Sequence, residues 1–284
     1  MTTLQQIYNR LREHSEELSC DKILGGEIGS AIISAFVSEG DISEDSTAIL
    51  NSLLDLRQGD ISIEVWKLWL VATLLENQII TLPDDYSFEQ FVGMAVSQSR
   101  TYCYYSPVKL TNNLLLYPFG LVGLKALKLL RGIPFYSLAE WIVLYMRDCE
   151  YILTRSVPHI HDNTTLKASV LHSILRFMQL AEKQKVFTYK AQQLQTEIKQ
   201  MPYDRNGSCP VDNYILDYLI GGKTIKRAWC DKDMGYIGKI AFLYDLPELF
   251  TEAFRSINVG NIQIDNLVGI GLGLLSNRIY ENEL

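Results

Sequence analysis

The chain has 284 residues and a formal net charge of −7, with 48% hydrophobic and 21% charged residues. That is enough apolar material for a substantial core. The acidic balance, with no Lys/Arg-rich run, argues against non-specific nucleic-acid binding, which needs a basic face to displace counterions.

The apolar pattern is helical nearly throughout. Leu4, Ile7, Leu11 and Leu18 fall at helix-like spacing with charges between them. The opening segment lacks the basic-then-apolar pattern of a secretory signal. The longest apolar run, Leu114 to Leu130, is broken by Pro118, Lys125 and Lys128 and falls short of a membrane span. It reads as a buried helix, and the protein is expected to be cytoplasmic. Five scattered cysteines fit reduced thiols, and the lack of CxxC and CxxH argues against a self-contained structural zinc module.

One element recurs. "LGGEIGSAIISAFVSEG" (from Leu24), "YPFGLVGLKALKLLRG" (from Tyr117), "AWCDKDMGYIGKIAFLYDL" (from Ala228) and "IDNLVGIGLGLLSNRI" (from Ile264) each open on small residues and continue as an apolar helix. Weaker copies start at Val65 and Val170. The intervals hold two helices and a return loop, so the expectation is all-α. Repeats of this period lead one to expect an array of helical hairpins, either a solenoid or a closed ring. A single domain over 1–284 is expected, because no Pro/Gly/Ser-rich linker divides the chain. Glycines in the first turns would let neighbouring backbones approach closely. In a ring, the N-terminal ends of the inner helices would then crowd one rim around a cavity.

Two other segments concentrate functional residue types. His159, His161 and Asp162 lie in a polar loop. Tyr102, Cys103, Tyr104 and Tyr105 form an aromatic cluster that reads as a loop anchor or a peptide grip. No P-loop, dinucleotide fingerprint, zinc-protease motif or serine elbow is present.

The glycine-led repeat together with "AWCDKDMG" resembles the lanthionine synthetase C-like family, the cyclase of lanthipeptide biosynthesis. That family builds an α/α toroid, so the resemblance implies a closed or incomplete ring over an open solenoid, and the family's Trp-Cys-Tyr-Gly-x-x-Gly motif supplies a zinc-binding cysteine. Trp229, Cys230 and Gly235 match at the same spacing, while Asp231 stands for tyrosine and Lys232 for glycine. "KASVLHSILRFM" is similar to the family's histidine-glycine motif, with His172 on the histidine and Ser173 for glycine. "NLVGIGLGLL" is similar to the ending of its last repeat, with Asn266 for the first glycine.

The resemblance implies that Cys230 is a zinc ligand and His172 a catalytic acid/base, with Arg227, Trp229, Asp231 and Asp233 lining the cavity. The family's second motif, Cys-His-Gly, has no counterpart: after Cys230 there is neither cysteine nor histidine. A catalytic zinc normally takes three protein ligands. The expectation is therefore a degenerate, metal-free homologue that binds a peptide or a partner modification enzyme. An active zinc-dependent cyclase, adding peptide cysteine thiols to dehydroamino acids, is the alternative. Cys230 itself reads as a remnant small residue, a zinc ligand or a reactive thiol. A third reading, a carbohydrate enzyme, needs facing carboxylates, for which Glu27, Asp231 and Asp233 are candidates.

Overall fold

The computed structural model describes residues 2–19, 26–38, 188–200, 209–221, 227–243 and 246–280, with eight isolated positions between 150 and 182. Among the described residues all regular structure is helical. The described residues include seven α-helices of defined extent: α1 (Thr3–Glu13), α2 (Gly26–Val37), α3 (Tyr189–Gln200), α4 (Pro210–Leu219), α5 (Asp231–Leu243), α6 (Pro247–Ala253) and α7 (Ile264–Tyr280). Short 3-10 turns cover Ser15–Glu17 and Val259–Asn261. No helix among the described residues is long and apolar enough to cross a membrane. The described helices fall into two compact units, one holding α1, α2, α5, α6 and α7, the other α3 and α4.

In the first unit, local chemistry sets the helix ends. The Thr2 hydroxyl accepts the Gln5 N–H at 3.2 Å and caps α1, while Arg10 and Arg12 stand in its last turn, where the dipole favours cations. Ile7 and Leu11, one turn apart, are buried, as the spacing predicts. Proline at the first position opens α6, where its missing N–H is not needed.

Helix α7 is the hub, packing against α5, α2, α6 and α1. Its contact with α5 is backbone to backbone. A Cβ placed on Gly238 would overlap the Gly269 carbonyl oxygen, and one on Gly269 would overlap the carbonyl of Gly235. Each interior glycine costs about 1 kcal/mol of helix stability against alanine. What the glycines permit is an approach no side chain would allow. The two other α7 glycines receive side chains: Ile33 and Ile7 fill the space over Gly271, and the Phe250 ring that over Gly273.

These contacts fix the helix directions. Gly235 lies beside Asn266 and Gly238 beside Gly269, so α5 and α7 run parallel. Gly26 lies beside Asp265 and Ile33 beside Gly271, so α2 and α7 are also parallel. Arg10 of α1 donates to the Val259 carbonyl while Ile7 reaches Gly271, so α1 runs antiparallel to α7. The glycine-led helices of three repeat copies are thus parallel neighbours. The first copy (α2) and the last (α7) are in direct contact. Fully buried Ile32, Ile33, Ile237, Phe242, Phe250, Leu267 and Leu272 form the core between them. Each such side chain contributes about 1.5–3 kcal/mol on leaving water.

The pattern in "DLPELFTEAFRSI" predicts a longer helix than forms. Helix α6 stops at Ala253, and Phe254 is extended, at φ −72° and ψ 137°. Phe254 stacks 5.2 Å from Phe250, and the chain then leads to Val259, which is buried and holds Arg10 through its carbonyl.

In the second unit, the isolated positions Leu171, Ile174, Leu175 and Met178 are all buried, at the i, i+3, i+4, i+7 spacing of one helix face. Gln179 donates to the Leu219 carbonyl at 2.8 Å, at the end of α4. Lys190 of α3 pairs with Glu150. Gly221 follows α4 at φ +70°, a left-handed conformation that favours glycine. The repeat copies beginning at Val65 and Tyr117, the run Leu114 to Leu130 and the tyrosine cluster at 102–105 lie outside the described residues.

Candidate functional site

The parallel arrangement puts the N-termini of α2, α5 and α7 on the same side of the first unit. The matched motif opens α5 there. Residues 227–230 are non-helical and lead into Asp231. The Cys230 carbonyl accepts the Met234 N–H at 2.9 Å, so Cys230 holds the cap position of α5. Its side chain is exposed and it is a free thiol.

Trp229 is buried, at 3% exposure, with the Arg227 guanidinium 5.3 Å from the centroid of its ring. At an exposed site such a cation–π contact adds about 0.5–1 kcal/mol. Asp231 and Asp233 occupy the first turn of α5, where the helix dipole favours carboxylates. Asp231 faces Arg255 at 4.0 Å, an exposed pair of little energetic weight.

The sequence leads one to expect bare, positive helix ends on this side. The structure instead supplies carboxylates of the same chain: Glu27 on α2, Asp231 and Asp233 on α5, and Asp265 on α7. Asp265 does more than face a dipole. Its Oδ1 accepts the Ser19 hydroxyl at 3.0 Å and the Ser19 N–H at 3.3 Å, while Gly26 N–H donates to Ser19 Oγ at 3.3 Å. This junction ties the start of the first glycine-led helix to the start of the last. Neither Ser19 nor Asp265 stands out in the sequence; only the acid in the first turn of an apolar helix hints at it. Glu27 lies on α2 and Asp231 and Asp233 on α5, with α7 between these helices.

His172, His159, His161 and Asp162 lie outside the described residues. Among the described residues no group of three or more His, Cys, Asp or Glu side chains could hold a metal ion. The described donors around Cys230 are its one thiol and the carboxylates of Asp231, which faces Arg255, and Asp233. In the second unit, Asp212 and Asp217 of α4 are buried, and both interact with other groups of the chain. Periodicity gave no sign of them, because α4 is buried on nearly every face. Cys209, at the start of α4, is exposed.

Comparisons with protein-family models, curated proteins and solved structures return no match.

Proposed function

We propose that this chain is a degenerate relative of the lanthionine synthetase C-like proteins. In this reading it is a cytoplasmic α/α ring of helical hairpins that binds a peptide or a partner modification enzyme without metal. The observation that carries the reading is the placement of Trp229, Cys230 and Gly235. The segment opens a glycine-packed helix that runs parallel to two other glycine-led helices, with the thiol exposed at their shared N-terminal side. The contact between the first and last copies supports a ring over an open solenoid. The ligand count favours binding over chemistry, since a thiol without partners has little affinity for zinc.

The second reading, a zinc-dependent cyclase, is favoured by the exposure of Cys230 alone. It needs His172 and further donors. In that reading zinc would lower the pKa of a peptide thiol for addition to a dehydroamino acid.

A synthetic peptide carrying one cysteine and one dehydroalanine separates the readings. Thioether formation conserves mass, so the readout is calorimetric binding together with the remaining alkylatable peptide thiol. Saturable binding with the thiol retained supports the binding protein. Zinc-dependent loss of the thiol establishes the cyclase. Absence of both removes this peptide class from the proposal.

A further inference from the structure

We draw no further inference here: the strongest candidate, the exposed Cys230 thiol at the start of α5 with Arg227 over the Trp229 ring and Arg255 facing Asp231, is a lone cysteine at a helix N-terminus that belongs to the site already described, and no second observation among the described residues points to a ligand there.

Discussion

Gly238 of α5 and Gly269 of α7 meet through their backbones, with the carbonyl oxygen of Gly269 occupying the space a Cβ on Gly238 would need. Alanine at either position gains about 1 kcal/mol of helix propensity. It also forces two helix backbones apart, and overpacking of this kind costs about 1–3 kcal/mol or more. The obstruction is main chain, which cannot rotate away. Gly238→Ala and Gly269→Ala should both lower the urea midpoint. Gly271→Ala is the informative contrast, because the nearest obstruction is the end of the Ile33 side chain at 2.6 Å. That methyl can move, so Gly271→Ala should be clearly milder. Equal losses at 269 and 271 would contradict the backbone contact.

The junction between the first and last glycine-led helices rests on Asp265. Asp265→Ala leaves the Ser19 N–H and hydroxyl without their acceptor and should cost about 1–2 kcal/mol in a denaturant titration. Asp265→Asn keeps a carbonyl oxygen at the same place and should recover a good part of that loss. An alanine variant as stable as the parent would show that the junction is not held by this side chain.

Phe250 closes the other side of the α5–α7 pair. It is fully buried, and its ring lies over both Gly238 and Gly273. Truncation to alanine leaves a cavity that helix backbones cannot collapse to fill, at an expected cost of about 3–5 kcal/mol. Phe254, half-buried beside it, should cost less on the same change. Thermal unfolding of the two variants checks the order.

Cys230 and Cys209 are exposed thiols. Iodoacetamide applied to the folded protein, followed by peptide mass mapping, should modify both without denaturant. Protection of Cys230 would contradict its placement at the surface of the α5 cap.

The sequence made some of this legible, for identifiable reasons. Ile7 and Leu11 could be placed in the core because an amphipathic helix with one buried face writes its period into the chain. The close approach of glycine-led helices could also be anticipated. A glycine tolerated inside an apolar helix, as at Gly238 and Gly269, needs a packing reason. Which glycine meets which backbone, and that α2 meets α7 across more than two hundred residues of sequence, depends on tertiary contacts that periodicity does not encode. The end of α6 was missed because Phe254 keeps the apolar spacing while stacking on Phe250 from an extended backbone. Around Cys230 the sequence sets Trp229 and Cys230 just before a helix, and in the structure Cys230 holds the cap of α5 while Trp229 is buried. The carboxylates of Asp231, Asp233 and Asp265 at the helix ends were not anticipated, because the glycine-led pattern pointed to bare ends and the acids gain their meaning only where the helices run parallel. Ser19, a polar residue in an unremarkable loop, carried no signal at all.

The most direct test of the account is zinc content by elemental analysis, on protein purified without chelator, beside Cys230→Ala. The account predicts no bound zinc in either protein. Near-stoichiometric zinc in the parent, lost in Cys230→Ala, would contradict it, and would make Cys230 a ligand completed by donors outside the described residues, with His172 the first to substitute.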